Sequence, residues 1–340
     1  MKFFVASLLG MIISSMLDII TFGSATRDIF ARSRDFKIIN CGDFVNGKGL
    51  AVGAGAKVYL EDLIFASGGG GTNAAATFAL QGLKTAYAGL VGGDENGEAI
   101  IAEMKKLGAG IKFIKKSAQY KTSQSIILSA PDGDRSILVY EGACHQLSEA
   151  DINWQKIKKA RWFYISGLSG AASKVFAPLI NFAAEHKIKL AVNPGHDQLT
   201  NDLPALKNLL NKIDILLVNQ EEACQITGVD YKNEEALFKK FDELVPGIAV
   251  MSKGKEGVAV SDGKIIYRAG IPESGYVDRT GSGDAFGSGF ASVIVRGGTI
   301  SEAIQLGTAN ATATIQQLGA KNGLLKKGEW GQWEKVKVIN

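Results

Sequence analysis

The sequence predicts an α/β fold: a central, mostly parallel sheet with helices on both faces. Three observations predict it. Short runs that are apolar throughout recur along the chain, as strands buried on both faces do. Between them lie segments with helical patterning, so strand and helix alternate, as βα units require. At 340 residues, with 46% hydrophobic, 21% charged and only 6 Pro, the chain can bury a large core and has a globular composition.

The first strand reads DIITF, Asp18 to Phe22. TAYAGLV (Thr85 to Val91), RWFYIS (Arg161 to Ser166), IKLAVN (Ile188 to Asn193), DILLV (Asp214 to Val218) and IAVMS (Ile248 to Ser252) follow. The intervening helices read NAAATFALQGL, GEAIIAEMKKLG, AASKVFAPLINFAAEH and EEALFKKFDELV. Ser148 and Asp151, just before NWQKI, have the spacing of a capping box. Two regions break the rhythm. Phe36 to Phe65 has β-rich ends around a glycine-rich middle, and Tyr120 to Tyr140 reads as two strands joined by the turn APDGD. Neither fits a βα unit, so both are expected in a small sheet outside the main layer. No repeat and no linker divides the chain into independent domains.

Composition excludes several functions. The net charge is only +4, and Lys and Arg occur in short pairs such as Lys105-Lys106 and Lys158-Lys159, which argues against nucleic-acid binding. Cys41, Cys144 and Cys224 are far apart and form no metal-ligand spacing with His145, His186 or His196. A sparse, odd cysteine count fits a reducing compartment, and a cytoplasmic location is expected. The opening MKFFVASLLGMIISSML is apolar but short for a membrane span, so no stable membrane association is expected. It is somewhat signal-like without a clean small-x-small cleavage site. Residues 1–17 are read as an N-terminal extension, from a misassigned start or a signal-like segment, upstream of a domain that runs from 18 to 340.

Glycine is abundant, at 41 residues, and clustered. ASGGGGTNAAATFALQGL places four glycines at a strand-to-helix turn, where a ligand can approach backbone N–H groups and the positive end of a helix. A flexible turn explains the same residues. So does a dinucleotide fingerprint, since Gly69, Gly71 and Ala74 satisfy G-x-G-x-x-A and Asp94 lies 20 residues further on. That rival leaves VDRTGSGDAFGSGF unexplained. There Gly281, Ser282 and Gly283 can turn successive N–H groups inward at a helix start, forming a nest for a phosphate. Asp284, beside the nest, suits a base that takes the proton of an attacking hydroxyl. A base on the alcohol and donors on the transferring group are what phosphoryl transfer to an alcohol requires. A Walker loop GxxxxGK[ST] is absent.

These motifs resemble those of the ribokinase-like (PfkB) carbohydrate kinases, in order and spacing, from Asp18 to about Leu325. FGSATRDIF resembles the family's first strand and loop, and GGGGTNAA followed by GLVGGDENGE resembles its first signature. NQEE resembles the Asn-x-x-Glu motif, MSKGKEG a nucleotide-binding turn, and DRTGSGDAFGSGF the second signature.

The resemblance implies a ribokinase-like fold with a lid whose strands come from about 30–66 and 111–140. It implies an ATP-dependent kinase of a sugar or sugar-like alcohol, or of a nucleoside on the same scaffold. Asp284 would be the base, with Gly281, Ser282 and Gly283 as the anion hole. Asp28, Gly69, Gly70 and Asn73 would bind the acceptor. Asn219, Glu222, Ser252, Gly254 and Asn310 would serve the nucleotide, with Asn310 near the adenine and Glu222 organising Mg²⁺ through water. The lid can also mediate a homodimer. The chain departs from the family pattern at Arg279, where Thr is usual, which argues against activation by K⁺. Gly70 stands where ribokinases often carry Lys, and FYISGLSG offers no Glu for the sugar, so strict ribose specificity is not expected. A hydride-transferring enzyme and a catalytically silent sugar sensor remain as readings from other classes.

Overall fold

The computed structural model describes residues 16–44, 47–130 and 135–339. Most of the expected N-terminal extension, and most of the APDGD turn, lie outside the described residues.

Among the described residues the main sheet has ten strands. Seven run parallel, in the spatial order β13 (Ile248–Ser252), β12 (Ile215–Asn219), β11 (Lys189–Asn193), β10 (Trp162–Ser166), β1 (Ile19–Phe22), β6 (Thr85–Gly92) and β7 (Gly110–Ser117). Beyond β13, β14 (Val258–Ser261), β15 (Ile266–Ala269) and β16 (Val338–Ile339) extend the sheet antiparallel. The first strand of the chain thus sits in the middle, between partners far along the sequence. Side chains alternate across it. Ile20, Phe22, Phe163, Ile165, Leu190 and Val192 enter one apolar core; Ile19, Trp162, Tyr164 and Ala191 enter the one opposite.

Seven helices of eight or more residues are present among the described residues: α1 (Gly70–Leu80), α2 (Glu95–Lys106), α3 (Phe176–Glu185), α4 (Gln220–Thr227), α5 (Glu234–Leu244), α6 (Ser282–Val295) and α7 (Ile300–Ile315). Local chemistry fixes several ends. Asp94 caps α2 by accepting from the Gly97 N–H at 2.9 Å, with Glu95 and Glu98 in the first turn and Lys105 and Lys106 in the last, complementing the helix dipole. Thr299 and Glu302 form a capping box at α7, and Asn219 and Glu222 form one at α4. The expected box of Ser148 and Asp151 caps a short 3₁₀ turn.

A second sheet of four strands stands apart, in the order β5 (Asp62–Gly68), β2 (Thr26–Arg32), β8 (Ser123–Ser129) and β9 (Arg135–Tyr140); β3 (Lys37–Asn40) and β4 (Lys48–Ala51) form a separate hairpin. Two expected boundaries are corrected. Residues 111–117 belong to β7 of the main sheet, paired with β6, because the parallel ladder continues across Ala88–Phe113 to Gly92–Ser117. The small sheet instead begins at Thr26, so Asp28 sits on a strand, not in a loop.

Candidate active site

The parallel strands all point their carboxyl ends one way, and the candidate residues gather there, as ligand sites do in open α/β sheets. Gly23 follows β1 at φ 149°, and a Cβ there would lie 1.8 Å from Ser166 Oγ at the end of β10. Asn219 and Ser252 end neighbouring strands in register.

Helix α6 starts at Gly281, its N-cap, in the left-handed region at φ 78°. A Cβ on Gly281 would lie 2.3 Å from Ala320 Cβ, so only glycine fits against the turn behind it. Gly283 faces open space. The first-turn N–H groups of a helix have no carbonyl one turn earlier to bond, which leaves donors facing outward. The Ser282 N–H makes a 3.3 Å bond to the Arg279 carbonyl within the turn. Asp284 stands in the same first turn, deep-set but open to the cleft. Burial raises its carboxyl above the ordinary Asp range, and the Asn73 hydrogen bond and the Lys321 charge partly offset this. That bond runs from Asn73 Nδ2 to Asp284 Oδ2 at 2.8 Å, across 211 residues of sequence.

Asn73 lies in the first turn of α1, whose N-cap is Gly69 at φ 93°. Its Oδ1 is buried and has no hydrogen-bond partner. A buried acceptor without a donor is costly, and a ligand hydroxyl facing Asp284 could supply that donor. The turn Gly68–Gly70 passes between two acids. A Cβ on Gly68 would lie 2.2 Å from Asp28 Oδ2, and one on Gly70 would lie 3.3 Å from Asp284 Oδ1. Asp28 accepts from Thr26 Oγ1 at 3.0 Å. Burial raises its carboxyl too, against Thr26, Lys321, Ser125 and Arg27. Asp28, Asn73, Gly69, Gly70 and Asp284 therefore meet on one wall.

Two cavities adjoin this wall. The smaller, about 260 Å³, is lined by Asn219, Glu222, Ser252, Gly281, Gly283 and Asp284 among others. The larger, about 650 Å³, shares Ser252, Gly283 and Phe286 with it and runs past Gly254 and Gly257 to an apolar end at Ile271, Pro272 and Ile315. A polar mouth on a helix N-terminus with an apolar far end fits a nucleotide, phosphates inward and base outward. Glu222 accepts from the Asn219 N–H at 2.8 Å while Asn219 Oδ1 accepts from the Glu222 N–H at 2.9 Å, so both are fixed in place by their capping box.

Asn310 is placed differently from expectation. It is fully buried beneath α6 and lines neither cavity. Its Nδ2 donates to the Ala285 carbonyl at 2.8 Å, and its Oδ1 accepts from the Leu325 N–H at 2.9 Å. The face of α7 that lines the larger cavity carries Thr308, Ala311, Thr312 and Ile315. Asn310→Ala is accordingly expected to lower stability by about 1–3 kcal/mol, the cost of stranding buried partners, while the KM for nucleotide stays near wild type. Denaturant titration and steady-state kinetics check it; a raised nucleotide KM with unchanged stability would return Asn310 to the adenine site.

The dinucleotide fingerprint also fails on placement. The strand before its glycines, β5, belongs to the small sheet and is antiparallel to β2. Asp94 is consumed locally, accepting from Thr122 N at 2.8 Å and Thr122 Oγ1 at 2.6 Å besides capping α2.

Three residues of the site carry no sequence signal. Ser166 donates to the Phe22 carbonyl at 3.2 Å and packs against Gly70. Arg135, on β9, reaches Asp278 at the head of the second glycine stretch, with Nη1 to Oδ1 at 2.6 Å. Despite burial, the Thr280 N–H and the Arg135 guanidinium hold the Asp278 carboxyl below its usual range. Lys321 is buried, with its ammonium on Ser67, the residue before Gly68.

A family model for pfkB family carbohydrate kinases matches residues 18–327. The chain belongs to this family. It is 27% identical over 276 residues to the ribokinase of Haemophilus influenzae, covering 78% of this chain and 86% of that one. It is 24% identical over 272 residues to a nucleoside kinase of Methanothermobacter thermautotrophicus, with 77% and 82% covered. Among solved structures, the Arabidopsis thaliana ribokinase complexed with ribose and ATP superposes with a TM-score of 0.73 at 21% identity, covering 92% of this pfkB chain and 96% of its own. At that identity the likeness shows the fold, which is ribokinase-like. No helix among the described residues of this pfkB chain is long and apolar enough to cross a membrane.

Proposed function

We propose that this pfkB protein transfers the γ-phosphoryl of ATP to a hydroxyl of a sugar or sugar-like alcohol. The observation that carries the reading is the position of Asp284. Its carboxylate sits in the first turn of a glycine-capped helix, bound to Asn73, where the wall of acids meets the phosphate-sized cavity.

In this reading Asp28 and Asn73 hold the acceptor with Gly69 and Gly70 at its edge, and Asp284 takes the proton of the attacking hydroxyl. The N–H groups of Gly281, Ser282 and Gly283 receive the charge of the transferring phosphoryl, Ser282 giving up its 3.3 Å bond to the Arg279 carbonyl. Asn219, Glu222, Ser252 and Gly254 serve the nucleotide phosphates. Glu222 offers a carboxylate at the phosphate end of the smaller cavity, a hard oxygen donor suited to Mg²⁺ through water. The ion, when bound with the nucleotide, neutralises phosphate charge. The pairing of Arg135 with Asp278, beside Arg279, counts against activation by K⁺ in this reading.

The small sheet would act as the lid. Asp28 pairs with Ala66 on one side and Ser125 on the other, and by strand alternation that row faces the site. Phe65, Ile29, Ile126 and Leu138 form the next row, facing away, with Phe65 and Leu138 about half exposed. A second copy of the chain against this face would make the homodimer, which analytical ultracentrifugation tests. No recognition of nucleic acid or membrane enters the reading, and its small-molecule chemistry suits the cytoplasm.

A nucleoside acceptor is the second reading, favoured by the relative that is a nucleoside kinase. A coupled assay of ADP release over a panel of sugars and nucleosides decides between them. Turnover with no member of the panel would leave a sugar sensor as the better account.

Asp28→Ala is expected to raise the acceptor KM by far more than the ATP KM, with about 1.5–3 kcal/mol lost for each hydrogen bond to the charged group. Equal changes in both constants would remove Asp28 from the acceptor site.

A further inference from the structure

Lys321 lies in the turn after α7 and is 8% exposed. Its ammonium donates to the Ser67 carbonyl at 2.7 Å and to Ser67 Oγ at 3.0 Å, and stands 3.9 Å from Glu103 Oε2. Ser67 Oγ in turn donates to Glu103. The turn that carries Lys321 touches two parts of the site. Ala320 fills the space behind Gly281, and a Cβ on Gly319 would lie 3.0 Å from Ala66 Cβ on β5. Ser67 precedes Gly68, where a Cβ would lie 2.2 Å from Asp28 Oδ2, and the nearby ammonium favours the ionised forms of Asp28 and Asp284.

We propose that Lys321 is a positioning residue for phosphoryl transfer, a buried ammonium that holds Asp28 and Asp284 together as carboxylates and ties lid strand β5 to the turn behind the anion hole. A buried lysine is expensive, and the Ser67 oxygens with Glu103 at 3.9 Å meet only part of that cost. The structure gives it work in proportion. Two carboxylates flank the Gly68–Gly70 turn, next to Ser67, and burial raises both. One cation near them relieves both. The charged groups that face Lys321 are Glu103 from α2, Asp28 and Arg27 from β2, and Asp284 from α6. Burial pulls the Lys321 ammonium down to about 8, the three carboxylates support it, and Arg27 opposes it. It therefore remains charged at neutral pH. Asp284 faces Asn73, Lys321 and the buried Tyr164 hydroxyl.

The inference rests on the kinase reading for its kinetic arm and is independent of it in its stability arm. With the best acceptor of the panel, Lys321→Met is expected to move the acid limb of kcat/KM upward by about one pH unit, the low end of what an opposite charge contributes. At a pH below the new limb this is a loss of about tenfold. A merely structural lysine would lower activity without moving the limb, and that result would overturn the proposal. In the unliganded protein, Lys321→Met is expected to lower the Tm, and Lys321→Met/Asp284→Asn to recover much of the loss, because the second change removes the uncompensated acid. Additive effects in this cycle would also overturn it. If Lys321→Met cannot be obtained folded, the same cycle is read as recovery: folding restored by Asp28→Asn and Asp284→Asn together supports the proposal, and no recovery refutes it. Wild-type protein that turns over no acceptor sinks the kinase reading while leaving the cycle to decide the role of Lys321.

Discussion

Asp284→Asn is expected to lower kcat by about 10²–10⁴, the usual worth of a positioned general base. Asn keeps the size of the side chain and can still accept from Asn73 Nδ2, so the wall stays in place. What is lost is the ability to take a proton. The same substitution should stabilise the unliganded protein. Burial raises the folded carboxyl above its unfolded value. Between those two values the folded state binds more protons, so the wild type loses stability as pH rises through the window. Asn has no carboxyl to ionise, so the variant should lack this loss. The raised carboxyl also places the acid limb of wild-type kcat/KM above the ordinary Asp range, and Asp284→Asn should abolish that limb. Nucleotide affinity should hold or rise slightly as a negative charge leaves the phosphate side. Near wild-type turnover in this variant would show that Asp284 is not the base.

Gly281→Ala should damage both fold and activity. The left-handed conformation at φ 78° costs a non-glycine residue about 1–2 kcal/mol. The new methyl would meet Ala320 Cβ at 2.3 Å and Ala320 Cα at 2.8 Å, and relieving such overpacking costs about 1–3 kcal/mol more. The start of α6 must then shift, taking Asp284 and the donors with it, and a displacement near 1 Å can cost about 10²-fold in rate. Gly283→Ala is the internal control for fold, since nothing lies within 4 Å of its Cβ. It should keep the wild-type Tm and lose activity through obstruction of the phosphate side. If Gly281→Ala matches wild type in both Tm and kcat, the close packing behind the anion hole has no functional weight.

What could be read from sequence follows from how local each requirement is. The strands of the main sheet are apolar throughout because both faces are covered, and DIITF or RWFYIS shows this without context. Asp284 among glycines was legible because the helix start and the close approach are properties of adjacent residues. The face of α7 was not legible. Asn310 and Thr308 lie on one patterned helix, and only the packing of α6 against it decides which of them lines the cleft. Residues 111–117 look like lid strands because their charged residues resemble a half-exposed sheet, and an edge strand of the main sheet has that composition too. Lys321 was invisible for a different reason. Its partners Ser67 and Glu103 are more than two hundred residues away, and a lone lysine in a loop has no pattern.

The bond between Asn73 and Asp284 spans 211 residues, and this has a consequence for biosynthesis. At about 5–20 residues per second, roughly 10–40 s separate the synthesis of its two ends. Strand β1, made first, waits for β10 before the centre of the sheet can close. A nascent chain on the ribosome therefore carries Asp28 and Asn73 long before it carries Asp284 and the glycine-capped start of α6. Premature termination anywhere before α6 yields a chain without Asp284 and the start of that helix, and so without the base and donors of the proposed transfer.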